Sequence, residues 1–244
     1  MNILVTGSEG FIGKNLRHWL MQMHPNDAVY NYDIDTPGEL ELLCQQADFV
    51  FHLAGVNRPE NPEEFKSGNA ELTDSLLKML EKEDRRIPLV LSSSTGAELD
   101  TPYGRSKKQA EEIVFKYAKK TGAAVYVYRL PNVFGKWCRP NYNSVVATFC
   151  HNAASGIPLR VDDPYKQLTL LYIDDIINEF GKIAHTVTAE KASSGGGSFR
   201  AIPDGYPKPS EKLLEIEPVY KITLLELADA ITSFAESRRL FTIG

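Results

Sequence analysis

Short apolar runs alternate with longer amphipathic stretches through the first half of the chain. Runs at residues 2–6, 28–32, 49–53, 89–92 and 124–129 predict strands. Between them, residues 11–23, 37–46, 62–84 and 104–120 carry apolar positions at helical spacing. In the first of these, Phe11, Ile12, Leu16, Trp19, Leu20 and Met23 form one stripe. Near-continuous apolar strands separated by helices predict an α/β fold, a doubly wound parallel sheet covered on both faces.

The pattern changes near residue 131. Proline, asparagine and aromatic residues gather at Pro131-Asn132, Trp137 and Pro140-Asn141-Tyr142-Asn143. A helix is expected over 143–155, a strand over 168–172 and a helix over 174–184. Residues 191–198 read as a flexible linker or loop replacement, and proline-rich sequence follows at 203–218. A last helix is expected to begin near Thr223, an N-cap with Glu226 at the capping-box position. The expected organisation is residues 1–130 plus about 170–188 as one domain, with 131–169 plus about 189–244 as a small C-terminal α/β lobe.

Composition narrows the class. At 244 residues, 43% hydrophobic and 24% charged, the chain can bury a large core and is ordinary for a globular protein. A net charge of -5 argues against nucleic acid as a partner. No apolar run reaches about 18 residues, so no membrane insertion is expected. The N-terminus reads as a strand without a basic leader, and a signal peptide is not expected. Cys44, Cys138 and Cys150 stand at unrelated spacings, which fits a reducing cytoplasm better than a disulfide framework. No metal site is expected.

The chemistry begins at the first strand-to-helix turn, Thr6-Gly7-Ser8-Glu9-Gly10-Phe11-Ile12-Gly13. Gly7 permits a tight turn, Gly10 a close backbone approach to a pyrophosphate, and Gly13 close packing of helix on strand. The helix N-terminus then offers unpaired N–H groups and partial positive charge to phosphates. This loop (Gly7, Glu9, Gly10, Phe11, Ile12 and Gly13) makes the sheet a Rossmann-type, dinucleotide-binding one. Asp33 lies about twenty residues further on, where a carboxylate accepts from the ribose hydroxyls of NAD and repels the extra phosphate of NADP. Asp35 adds to that repulsion, and residues 28–38 contain no Arg or Lys. The electrostatics favour NAD. Leu53-Ala54-Gly55 ends the third strand with small residues past which a cofactor can run. His52, inside that strand, reads as structural. Only one short helix separates the second and third strands, so the sheet is expected to lack one strand of the usual dinucleotide half.

Tyr103 and Lys107 are four residues apart at the start of a helix, hence on one face. A nearby ammonium favours the phenolate and is expected to lower the tyrosine pKa. Such a tyrosine can hand a proton to a carbonyl oxygen. The serines ending the preceding strand can hold that oxygen, with Ser94 the first candidate and Ser93 the second.

Together the glycine loop, the serine cluster at 92–94 and Tyr103-x-x-x-Lys107 resemble the extended short-chain dehydrogenase/reductases. Arg129-Leu130-Pro131-Asn132-Val133-Phe134-Gly135 and Tyr172-Ile173-Asp174-Asp175 are similar to later landmarks of that family, so the likeness covers most of residues 1–185. Residues 52–59 and 134–144 look like a branch that makes capsular polysaccharide precursors. The resemblance implies an NAD(P)H-dependent reductase of a UDP-linked, N-acetylated 4-keto-6-deoxy sugar. It implies catalytic Ser94, Tyr103 and Lys107, with Leu130 beside the cofactor. It implies substrate contacts from Arg58, Ser93, Asn132, Lys136 and Arg139. It favours NADP where Asp33 favours NAD, and it leaves a homodimer open. Members of the branch carry a C-terminal cupin domain, which this chain is expected to lack. The alternatives are an NAD-dependent 4-epimerase or dehydratase, and a non-catalytic dinucleotide sensor or assembly protein. Thr95-Gly96 stands after Ser94 where a dehydratase would place an acidic pair.

Overall fold

The structure, a computed structural model, describes residues 1–33, 38–194 and 212–240. The chain divides into two compact units, Met1–Leu130 with Ile177–Ile216, and Pro131–Ile176 with Glu217–Gly244.

The larger unit is built on a five-stranded parallel sheet in the order β2-β1-β3-β4-β5. Its strands are β1 (Asn2–Thr6), β2 (Ala28–Tyr32), β3 (Phe49–His52), β4 (Leu89–Ser94) and β5 (Val125–Leu130). The expected missing strand is indeed absent among the described residues, and β2 is the edge. Chain direction across the sheet reverses between β1 and β3. Ligands of open α/β sheets bind at such a switch point.

Alternation along the strands serves both faces. Leu4, Val50, Leu89, Leu91, Val125 and Val127 pack with Leu76, Leu77 and Leu80 of α3 (Leu72–Glu81). Ala110, Val114 and Tyr117 of α4 (Pro102–Thr121) join the same cluster, with Cys44 of α2 (Leu40–Gln46). On the other face Phe51 and Tyr128 stack against Phe180 of α6 (Ile173–Ser194), at centroid distances of 5.6 and 5.5 Å. Leu16 and Leu20 of α1 (Phe11–Met23) are fully buried.

Helix ends follow the local sequence. Thr101 caps α4 by accepting from the Gly104 N–H at 3.0 Å, Pro102 opens the helix, and Gly122 closes it at φ +73°. The long helix expected over 62–84 is a π-helical turn at Lys66–Glu71 running into α3. In the smaller unit, Ser144 caps α5 (Val145–Ala154).

The smaller unit has a three-stranded sheet in the order β6-β7-β8, from β6 (Asn132–Phe134), β7 (Gln167–Tyr172) and β8 (Tyr220–Thr223). Its core gathers Phe149, Leu168, Leu170, Leu224, Leu227, Ala228 and Ile231. The expected capping box on α7 (Leu224–Leu240) is formed. Thr223 Oγ1 accepts from the Glu226 N–H at 3.2 Å, and Glu226 Oε2 accepts from the Thr223 N–H at 2.8 Å.

Two expected domain boundaries are corrected. Residues 170–176 group with the smaller unit, because β7 hydrogen-bonds to β6 and β8. Residues 212–216 group with the larger, because Leu214 exchanges hydrogen bonds with Val127 O (2.8 Å) and the Arg129 N–H (3.2 Å) along the β5 edge. Of the linker expected over 191–198, residues 191–194 continue α6 and the rest lies outside the described residues, as does most of the proline-rich stretch.

Candidate active site

The glycine loop connects β1 to α1. Gly7 adopts φ +69°, its N–H donates to the Tyr32 carbonyl at 2.8 Å, and a Cβ there would lie 2.6 Å from the Ala54 nitrogen. The ends of β1 and β3 thus approach at Gly7 and Ala54 with no room for a side chain. Gly13 is tighter: its Cβ would sit 2.1 Å from the Gly7 carbonyl oxygen. The exposed N-cap Gly10 provides no side-chain cap, so the first N–H groups of α1 have no side-chain acceptor at that position. Phe11 and Ile12, half-buried, begin the helix.

Asp33 stands at the end of β2 beside the loop. Its Oδ2 accepts from the Ser8 hydroxyl at 2.9 Å and from the Glu9 N–H at 2.6 Å. Glu9 pairs in turn with Arg17, and with Lys14 at 3.7 Å. Those two cations come from α1, outside residues 28–38. Asp35 lies outside the described residues.

The serines and the Tyr–Lys pair converge on the C-terminal end of β4. Tyr103 is half-buried, hydrogen-bonded to Ser94, and edge-on to Phe65 at 5.6 Å. A Cβ on Gly96 would meet the Tyr103 ring at 3.1 Å and Ser94 Oγ at 3.3 Å, so glycine keeps that pair clear. Lys107 is buried, and its ammonium donates to the Ser92 carbonyl at 2.8 Å. Burial brings the lysine down to about 8, with the Glu111 carboxylate pulling the other way. A Cβ on Gly55 would lie 3.6 Å from Lys107 Nζ, so the small residue after β3 leaves open the approach to the ammonium.

Two expectations are corrected here. The Tyr103 phenol is not depressed; burial pushes it up, and the hydrogen bond with Ser94 is the opposing influence. Lys107 is turned to a backbone carbonyl instead. Ser93 is not placed to hold a substrate: it is buried, and its hydroxyl donates to Glu111.

His52 is closed away. It is buried, its ring nitrogens bond Thr6 at 2.7 Å and Thr73 at 2.9 Å, and burial drives it down to about 3. Leu53 and Ala54 are half-buried at the end of β3, and Leu130 is paired in register with Ser94. Arg58 is exposed in the segment after β3.

The remaining candidates belong to the smaller unit. Asn132 is exposed on β6 and donates to the Thr169 carbonyl at 3.4 Å. Lys136 pairs with Asp174 at 2.8 Å. Arg139 lies 5.7 Å over the Tyr142 ring.

Two residues of this region went unread in the sequence. Asn69, in the π turn, clips the segment after β3 to α4. Its Nδ2 donates to Val56 O at 2.9 Å and to Ser106 Oγ at 3.0 Å, and its Oδ1 accepts from the Val56 N–H at 3.1 Å. Nothing in its spacing marks it. Glu111 carried a signal: an acid on the apolar stripe Ala110, Val114, Tyr117, one turn beyond Lys107.

A glycine loop at a sheet's switch point, an acid ending the second strand, and Ser–Tyr–Lys at the end of the fourth define a dinucleotide-dependent short-chain class. The chain belongs to the NAD dependent epimerase/dehydratase family, which it matches over residues 3–193. It is 42% identical over 242 residues to the UDP-2-acetamido-2,6-beta-L-arabino-hexul-4-ose reductase of Pseudomonas aeruginosa, over 99% of this chain and 60% of that protein. Its structure is similar to the capsular polysaccharide assembling protein CapF from Staphylococcus aureus, with TM-score 0.77 and 37% identity, over 98% of this chain and 58% of CapF. The chain therefore spans about 60% of the length of these two relatives. The UDP-glucuronic acid 4-epimerase of Bacillus cereus, solved in complex with NAD, shares the fold at TM-score 0.77 and 18% identity, over 97% of this chain and 85% of that one.

Proposed function

We propose that this chain is the reductase portion of an enzyme that reduces the 4-keto group of a UDP-linked, N-acetylated 6-deoxy sugar, for capsular or surface polysaccharide synthesis. The observation that carries the reading is the hydrogen-bonded Ser94–Tyr103 pair with Lys107 buried one turn along α4. The 42% identity to a UDP-hexulose reductase supplies the substrate class.

The residues fit a nicotinamide cofactor. The N-terminus of α1, lacking a side-chain cap at Gly10, would suit a pyrophosphate. Asp33, at the end of β2, would take the adenosine ribose, and the small residues Ala54 and Gly55 would let the cofactor pass close to the backbone. Bound there, the nicotinamide supplies the hydride.

The remaining steps fall to the protein. Ser94 holds the carbonyl oxygen, and Tyr103 donates its phenolic proton to that oxygen as negative charge develops. Lys107, held by the Ser92 carbonyl, keeps its ammonium at the site and orients the nicotinamide ribose. The substrate contacts implied by the likeness are Arg58 in the larger unit and, in the smaller, Asn132, Lys136 and Arg139, the cations being suited to a diphosphate. Asp33, held by Ser8 and Glu9, favours NAD; the family likeness favours NADP.

The test is turnover of NADH and NADPH with a panel of UDP-4-ketosugars, for the parent chain and for Tyr103→Phe and Asp33→Ala. Stoichiometric cofactor consumption that Tyr103→Phe abolishes is expected. Full turnover by Tyr103→Phe would end the proposal. Sugar conversion without cofactor consumption would move the reading to an epimerase. Asp33→Ala is expected to improve the use of NADPH relative to NADH.

A further inference from the structure

We propose that Glu111 is a positioning residue for this reduction, setting the charge environment of Lys107 through its link to Ser93 and Arg129. The proposal rests on the roles given above to Tyr103, Ser94 and Lys107.

Tyr103, Lys107 and Glu111 are spaced by four along α4 and so share one face. Glu111 is only 3% exposed, deeper than Lys107 at 7%. Arg129 grips its carboxylate in a fork, Nε to Oε1 at 2.9 Å and Nη2 to Oε2 at 2.8 Å. The Ser93 hydroxyl adds a third donor to Oε1. Arg129 Nη1 extends the network to Glu98 at 3.0 Å, in the short 3-10 turn Thr95–Glu98.

This network adjoins the reacting groups along β4 and α4. Ser92 holds the Lys107 ammonium by its carbonyl, Ser93 holds Glu111 by its hydroxyl, and Ser94 bonds to Tyr103. Arg129 immediately precedes Leu130, the register partner of Ser94. One carboxylate therefore ties together α4, the end of β4 and the end of β5. A buried ion pair adds little net stability, because desolvation offsets the attraction. Its distinctive contribution here is a negative charge beside a buried ammonium.

Several charged groups sit on elements packed against α4. His52 on β3 is neutral, driven down to about 3. Glu98 and Arg129 are within the network. Lys66 pairs with Glu71, Asp74 with Lys78, and Glu81 with Lys120, all toward solvent. Glu111 is the counter-charge acting on Lys107, which burial otherwise drives downward.

The experiment uses charge changes of opposite sign. Glu111→Gln removes the counter-charge and leaves Arg129 under-neutralised, so both changes push the Lys107 proton off. Arg129→Gln frees the Glu111 charge and holds the proton on. The alkaline limb of kcat, with saturating NADH and UDP-4-ketosugar, is expected to fall by about one pH unit in Glu111→Gln and to rise in Arg129→Gln. The KM of the ketosugar changes little in either. The double variant returns the limb toward the parent.

A second readout does not require turnover. The pH for half-maximal acetylation of Lys107 by acetic anhydride, followed by mass spectrometry of the chain, is expected to move in the same two directions. Unmoved limbs and unmoved labelling in both variants, or equal shifts of the same sign, would overturn the proposal. If the parent chain turns over no ketosugar, the functional reading fails and the labelling alone decides the coupling of Glu111 to Lys107. Should Glu111→Gln not fold, an unshifted Arg129→Gln is itself sufficient to overturn it.

Discussion

Gly13→Ala probes the loop-to-helix turn where it is least tolerant. The added methyl would lie 2.1 Å from the Gly7 carbonyl oxygen and 2.8 Å from Ser8 Cα. A close carbon–oxygen contact is about 3.3 Å, so the overlap with backbone is roughly 1 Å. The loop has nowhere to retreat. Gly7 is tied to Tyr32 O at 2.8 Å, and its own Cβ position is 2.6 Å from the Ala54 nitrogen. Helix α1 must therefore move off the sheet. Overpacking of this kind costs about 1–3 kcal/mol, against a helix-propensity gain of about 1 kcal/mol for alanine over glycine. A 2.1 Å contact with fixed backbone belongs at the upper end of that range, so the net loss is about 2 kcal/mol, a melting temperature roughly 4–8 °C lower for a chain of this size. Gly10→Ala is the control. It is exposed, its nearest contact would be 3.1 Å, and the expected loss is under about 1 kcal/mol. Thermal melting of the three proteins, with NADH titration by fluorescence, separates the effects. Both variants are expected to bind NADH more weakly, but only Gly13→Ala to melt clearly lower. A Gly13→Ala protein as stable as the parent, or a Gly10→Ala protein less stable than Gly13→Ala, would refute the packing argument.

Other outcomes follow from the same contacts. Tyr103→Phe is expected to keep NADH affinity and lose about 10²–10⁴-fold in kcat, since the proton donor goes and the cofactor cradle stays; equal losses in NADH binding would count against it. His52 sets an acid-side stability slope: the folded chain holds it near 3 against an ordinary 6.5, so the unfolded chain binds the extra proton between those values. Stability contributed by the neutral ring is present above about 6.5 and drains at about 1.4 kcal/mol per pH unit as pH falls toward 3. Urea midpoints at pH 7, 5 and 4 are expected to fall less steeply in His52→Gln, and parallel curves would disprove the assignment. Thr223→Ala breaks the capping box of α7 and is expected to cost about 1 kcal/mol, read as a shift in urea midpoint. No shift would mean that the cap is unimportant in water.

The strands and helices of the larger unit were readable because the signals were local and redundant. Buried parallel strands need continuous apolar runs, and the helices between them carry caps and stripes. The π turn at Lys66–Glu71 was not readable, since its register is set by Asn69 bonding to Val56 and Ser106, far apart in sequence. The split of residues 170–176 from the larger unit was hidden for a related reason. A short apolar run such as Gln167–Tyr172 does not reveal which sheet it will join. Tyr103 and Lys107 were found by their spacing on one helix. The fate of Ser93 was not, because its partner Glu111 lies 18 residues on.

By itself the sequence determined the order of elements, the glycine loop, and the placing of Tyr103 and Lys107 on one helical face. These depend on residue type and on spacing of a few positions. The tertiary structure decided which neighbours those groups meet. It gave Ser93 to Glu111 and Ser94 to Tyr103, partners two turns apart on one helix that only the packing of α4 beside the end of β4 brings within reach. It closed His52 between two threonines and lowered Lys107 by burying it. Charge and proton affinity depend on what surrounds a group in space, and only the folded chain fixes those surroundings.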